Sequence, residues 1–202
     1  MGRLILASAS PRRADLLTEA GLAFEVRAAD VDESFDPSRE PLEVARDLAL
    51  RKARVVAAGL GAEPAWVLGG DTLVVLDGPV FLGKPVDAVE ARAMLEALSG
   101  SVHRVITGVA VVRTGPDGEG AELAAAEVTE VTMRAITPDE VAAYVASGEW
   151  RGKAGGYAIQ ETADRFVTGL AGGGFDNVVG LPVALSLELL ERLDLDPLPG
   201  GR

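Results

Sequence analysis

Ser8-Ala9-Ser10-Pro11-Arg12-Arg13-Ala14 joins an apolar run, Leu4-Ile5-Leu6-Ala7, to a helical pattern carrying Leu16, Leu17 and Ala20. The stretch reads as a strand-to-helix turn, with Ser10 as N-cap and Pro11 at the first helical position. Arg12 and Arg13 then fall in the first turn of the helix. A helix N-terminus points unpaired N–H groups and a partial positive charge outward, which favours anions. Two cations there work against helix stability. Either an anion is meant to sit against them, for which the arginine fork suits phosphate oxygens, or the pair is simply solvated.

The chain has 202 residues, enough for one large domain or two small lobes sharing a core. Its 48% hydrophobic content supports a sizeable core and argues against disorder. A formal net charge of −12 with no long basic run argues against an extended nucleic-acid surface. A small anionic ligand in a local basic pocket stays compatible with that charge. The chain has no cysteine, which excludes disulfides and thiolate metal sites. Its start, Met1-Gly2-Arg3-Leu4, runs into a strand without a signal-peptide core, and no apolar stretch approaches the roughly 20 residues of a membrane span. These features lead us to expect a cytoplasmic protein without a membrane partner.

Of the 19 basic residues only Lys52, Lys84 and Lys153 are lysines. A chain so biased toward arginine keeps lysine where a compact, flexible ammonium works better, or else the three are scattered by chance. Lys52 lies in a helix expected from Pro41 to about Ala58, on the same stripe as Ala45, Leu48, Ala49 and Val56. It either snorkels to the edge or reaches an internal anionic site. Asp71 and Thr72 interrupt the most hydrophobic strand candidate, Trp66 to Leu76, directly after Gly69 and Gly70. A buried carboxylate without compensation costs several kcal/mol or stays protonated. Asp71 therefore needs a partner: a metal, a bound cationic cluster, or a structural salt bridge. Asp30, Asp32 and Glu33 crowd one short loop, either solvated or contributing a Mg²⁺ ligand.

The remaining chain reads as alternating elements. Gly21 stops the first helix and Phe24 to Arg27 alternates like a strand. Asp77-Gly78 signals a turn before the Gly83-Lys84-Pro85 loop, and Asp87 to Leu98 forms a helix with a capping-box start at Asp87 and Glu90. Val102 to Val112 is a long strand carrying His103, the only histidine, read as structural or substrate-adjacent. Gly115-Pro116-Asp117-Gly118 has turn chemistry and leads to an alternating strand at Glu127 to Met133. Thr137-Pro138-Asp139-Glu140 is a complete helix start, and that helix ends near Gly148. Glu149 to Gln160 is a glycine-rich loop, Phe166 to Leu170 a short strand, and Asp176 to Leu193 a final helix. The tail from Asp196 is expected to fray.

Five cations (Arg12, Arg13 and the three lysines) against Glu33 and Asp71 suit a polyphosphate held with a divalent ion. No P-loop motif occurs, and one histidine cannot furnish a persuasive Ser/His/Asp triad.

Several motifs, in order, carry a resemblance: Ser8-Ala9-Ser10-Pro11-Arg12-Arg13, Val31-Asp32-Glu33, Gly70-Asp71-Thr72, Gly83-Lys84-Pro85, Glu149 through Gln160, and Asn177-Val178-Val179-Gly180-Leu181-Pro182. Together they resemble the Maf family of nucleoside triphosphate pyrophosphatases. The resemblance implies an α/β fold related to the inosine-triphosphate pyrophosphatase group, a mixed twisted sheet with flanking helices, in one domain over residues 1–202 with two lobes around a cleft. It implies a cut between α- and β-phosphates that needs Mg²⁺ or Mn²⁺, and a homodimer. By the same resemblance Asp71 is the catalytic carboxylate and a metal ligand, and Glu33 a metal-binding acid. Arg12, Lys52 and Lys84 contact phosphate, with Ser8 beside them. Arg13, Thr72 and Gln160 match the branch that prefers dTTP and UTP over 7-methyl-GTP.

Two departures stand out. Glu161 occupies a position where the family usually has glycine, placing a carboxylate beside the Gln160 amide. Gly172-Gly173-Gly174-Phe175-Asp176 replaces a more typical Gly-Ser turn. The expected function is hydrolysis of pyrimidine nucleoside triphosphates, including modified ones. Two rivals stay open: a nucleotide-sensing regulator of cell division with little hydrolysis, and a γ-phosphate hydrolase.

Overall fold

The structure is a computed structural model that describes residues 3–78, 80–115 and 120–195. Among the described residues seven strands and six helices follow in the order β1 (Arg3–Ala7), α1 (Pro11–Glu19), β2 (Glu25–Val26), α2 (Pro41–Ala58), β3 (Ala65–Leu76), β4 (Val80–Leu82), α3 (Ala88–Leu98), β5 (Val102–Thr114), β6 (Glu122–Met133), α4 (Pro138–Ser147), β7 (Val167–Gly172), α5 (Phe175–Val179) and α6 (Val183–Arg192). Two short 3₁₀ turns, Ala154–Gly156 and Thr162–Phe166, lie between α4 and β7.

All strands belong to one mixed sheet in the order β2-β1-β3-β5-β6-β7, with β4 paired to β3. β1 runs parallel to both β2 and β3, whereas β4 and β7 are antiparallel to β3 and β6. The expected mixed sheet with flanking helices is what the chain forms. The strand expected at Phe24–Arg27 shrinks to two residues, though Arg27 still donates its N–H to the Leu6 carbonyl at 3.0 Å. The turn expected at Gly115–Gly118 lies mostly outside the described residues, as does the tail from Asp196.

The chain divides into two compact units. One comprises residues 1–71, 107–127 and 180–202; the other comprises 72–106 and 128–179. In the first unit Leu4, Leu6, Leu17, Leu68, Val109, Leu181 and Leu190 form one core cluster. A second cluster joins Ile5, Ala7, Val67 and Ala110 to the alanine stripe of α2. In the second unit Val74, Leu95, Val105, Met133, Tyr144, Trp150 and Phe166 pack together.

The seat of α2 explains much of the site. Its buried residues Ala45, Leu48, Ala49, Lys52, Ala53 and Val56 recur at helical spacing. Small residues let the helix backbone approach the sheet, and two glycines complete the approach. A Cβ at Gly108 would stand 2.0 Å from the Ala45 carbonyl oxygen, and one at Gly69 would stand 2.3 Å from that of Ala49. Both obstacles are helix backbone, so nothing flexible can yield. Gly108→Ala is therefore expected to cost about 3 kcal/mol, lowering the melting temperature by roughly 6–12 °C in a chain of this size. Thermal and urea unfolding check this, and an unchanged midpoint would mean that α2 slides freely.

The helix ends are largely as expected. Asp87 caps α3 by accepting from the Val89 and Glu90 amides at 2.9 and 2.8 Å, while Glu90 accepts from the amide of Val86. Thr137 and Glu140 form a reciprocal capping box on α4. Arg134 donates to both Glu140 oxygens and, with the Thr137 amide, holds that carboxyl down at about 2. The single helix expected over Asp176–Leu193 is instead broken into α5 and α6. Pro182 has no N–H and restricts Leu181 to extended backbone, and Gly180 sits at φ 134°.

Candidate active site

β3 carries Val67, Gly69 and Asp71 on one face, because side chains alternate along a strand. Gly69 brings α2 onto that face, and Lys52 projects from the helix toward Asp71. Its Nζ donates to Asp71 Oδ1 at 2.5 Å and pairs with Glu33 Oε1 at 2.6 Å. The Lys52 and Asp71 side chains are each only 9% exposed, against 45% for Glu33. Lys52 thus reaches an internal anionic site rather than snorkelling, and the compensating partner of Asp71 is this ammonium. Two acids and a lysine, each flagged separately by the sequence, meet at one point.

Ser10 occupies the N-cap of α1, but its side chain makes no cap hydrogen bond. Ser8 acts at this turn instead. Its hydroxyl accepts from the Ser10 amide at 3.2 Å and from Arg13 at 3.1 Å. Arg13 is buried, and its Nε donates to the Gly180 carbonyl at 2.7 Å. The break between α5 and α6 leaves that carbonyl outside any helix, where it can accept. The guanidinium also lies against Gly70, where an added Cβ would stand 3.2 Å from Nε. Burial lowers the Arg13 pKa, while the charges of Asp71 and Glu33 oppose the shift and that of Arg12 adds to it. Arg12 is half-buried one residue earlier.

The second unit holds Thr72, Lys84 and Gln160. Lys84 is exposed in the loop after β4, and the Gly83 carbonyl beside it accepts from the Gly155 amide at 2.9 Å. Gly155, at φ 67°, lies against Val74, so a side chain there would be strained and crowded. Buried Lys153 donates to the Glu149 carbonyl and to Glu161 Oε2, the latter at 2.6 Å. Glu149 in turn accepts from the amide and hydroxyl of Thr162 at 3.1 and 2.6 Å. The carboxylate of Glu161 is thus engaged with Lys153, and Gln160 stands exposed one residue before it. The clasp of Glu149 and Glu161 leaves no periodic signal in the sequence, because its pairings run across a glycine-rich loop.

His103 is 1% exposed and stands with Nε2 2.7 Å from the Tyr157 hydroxyl. Burial pushes its pKa down to about 4. It is a structural histidine that tethers the 149–160 loop.

Among the described residues, no group of three or more His, Asp or Glu side chains gathers as a ready cation cage. Glu33 and Asp71 nevertheless place two carboxylate oxygens around one ammonium. Mg²⁺ takes hard oxygen donors, often only one or two protein carboxylates with the rest from water and phosphate. The donor set fits such an ion. No helix among the described residues is long and apolar enough to cross a membrane.

Comparison with known proteins bears on the whole chain. It is 50% identical over 197 residues to a dTTP/UTP pyrophosphatase of Anaeromyxobacter sp., covering 98% of this chain and 92% of that one. It is 48% identical over 196 residues to a dTTP/UTP pyrophosphatase of Moorella thermoacetica, covering 97% of each. Among solved structures it is similar to a nucleoside-triphosphatase / dITP/XTP pyrophosphatase of Mycobacterium abscessus. That likeness has a TM-score of 0.43 and 18% identity, over 65% of this chain and 72% of the other. The family model described as Maf-like protein matches residues 3–193, and with near full-length relatives at about half identity the chain belongs to the Maf-like family.

Proposed function

We propose that the chain is a nucleoside triphosphate pyrophosphatase that cuts the α–β phosphoanhydride of dTTP and UTP, releasing the monophosphate and pyrophosphate. The observation that carries the reading is the meeting of Glu33, Lys52 and Asp71 on the α2 face of β3. Its support from relatives is their shared name, dTTP/UTP pyrophosphatase, at 48–50% identity.

Glu33 and Asp71 would hold Mg²⁺ or Mn²⁺, which when bound supplies charge neutralisation at phosphate oxygens. Asp71 orients the attacking water and accepts its proton. Lys52, Arg12 and Lys84 neutralise the polyphosphate with Ser8 beside them, and Arg13, Thr72 and Gln160 select the base. A glutamine amide offers both a donor and an acceptor to a pyrimidine edge. Residues 1–202 act as one functional domain, in the cytoplasm on free nucleotides, with no nucleic-acid or membrane partner. A homodimer follows from the resemblance alone.

Initial rates across UTP, dTTP, CTP, GTP, ITP and 7-methyl-GTP test the substrate assignment. UTP and dTTP are expected to lead. A clear preference for 7-methyl-GTP or ITP would overturn the base assignment of Arg13, Thr72 and Gln160.

A further inference from the structure

Glu33 lies in a segment without helix or strand between β2 and α2, yet its carboxylate reaches Lys52 at 2.6 Å. An exposed loop carboxylate must give up conformational freedom to stay there. Two sets of contacts hold it. Asp32 accepts from the amide and the hydroxyl of Ser34 at 2.8 and 2.6 Å, closing a tight turn over Glu33. Arg51, half-buried on α2, donates from one guanidinium nitrogen to the Ser34 carbonyl at 2.9 Å and reaches the Asp32 carbonyl at 3.4 Å. The carbonyls of the residues on either side of Glu33 are thereby tied to the helix. The tie comes from the residue next to Lys52, so adjacent positions of α2 grip the same acid, one by its side chain and one by its flanking backbone.

We propose that Arg51 is a positioning residue for Glu33, and that through Glu33 it sets the affinity of the Glu33/Asp71 pair for a divalent cation. The cation part rests on the function proposed above. Arg51 makes its hydrogen bonds to the loop carbonyls and not to Asp71. Its effect passes through the loop backbone, as with other groups that orient a ligand without binding the metal. A lysine at 51 carries its charge on a compact ammonium at the end of a flexible stem and is expected to restore only part of the effect.

The test uses the full-length protein without nucleotide. Mn²⁺ binding is followed by electron paramagnetic resonance in the natural chain, Arg51→Ala, Arg51→Lys, Glu33→Ala and the Arg51→Ala/Glu33→Ala double variant. Amide hydrogen exchange of residues 32–35 is followed in the metal-free proteins. Arg51→Ala is expected to weaken Mn²⁺ binding about tenfold, with Arg51→Lys intermediate and no further loss on the Glu33→Ala background. Exchange over 32–35 should accelerate while the melting temperature stays unchanged. Unaltered Mn²⁺ affinity in Arg51→Ala, or an equal loss when Glu33 is already absent, would overturn the proposal. If the natural chain binds no Mn²⁺, the cation reading falls, and exchange alone decides whether Arg51 positions Glu33: acceleration sustains that role and unchanged exchange overturns it.

Discussion

Asp71→Asn is expected to lower kcat for UTP about 10³-fold, the scale of losing a positioned general base, while nucleotide binding stays within about threefold. The substitution keeps the size of the side chain on β3 and removes its charge and basicity. Lys52 retains Glu33 as a partner, so the ammonium is not stranded. Steady-state kinetics alongside calorimetric UTP binding separate the two effects. Turnover near the natural level would remove Asp71 from its catalytic role. A parallel loss of binding would make it a contact to substrate rather than to water.

Lys52→Ala is expected to damage both stability and activity. The Lys52 and Asp71 side chains are each 9% exposed, so truncation leaves a buried carboxylate without its ammonium. Breaking a buried pair from one side costs about 3–5 kcal/mol. Truncation also removes a cation proposed to neutralise the polyphosphate, so kcat/KM should fall about 10³-fold. The two causes separate in a double variant. Adding Asp71→Asn to Lys52→Ala replaces the stranded carboxylate with a neutral amide and should recover roughly 2 kcal/mol of stability with no activity. Denaturant unfolding of the four proteins checks the cycle. A Lys52→Ala protein as stable as the natural chain would mean that the pair contributes little to the fold.

Asp71 announced itself because a carboxylate inside a strand as apolar as Trp66–Leu76 is costly. Lys52 did so because it sits on the inward stripe of α2. Their meeting needs the close seat of α2 on Gly69 and Gly108, which is a property of packing and not of periodicity. The fate of Arg13 was equally hidden, since its acceptor Gly180 lies 167 residues away along the chain. Ser10 holds the N-cap of α1 as expected, but its side chain makes no cap bond, and Ser8, two residues earlier, stitches the turn instead. The single helix expected over Asp176–Leu193 breaks at Pro182, which lacks an N–H and restricts Leu181. Long-range pairings such as Arg51 with the Asp32–Ser34 backbone carry no sequence signal at all.

The most direct measurement is product analysis of the purified chain with UTP and Mg²⁺, before and after chelation and in Asp71→Asn. UMP and pyrophosphate in equal amounts, abolished by chelator and by the substitution, are the outcome this account predicts. UDP with orthophosphate would place the cut at the γ-phosphate, and tight UTP binding without any product would make the chain a nucleotide sensor; either would contradict it.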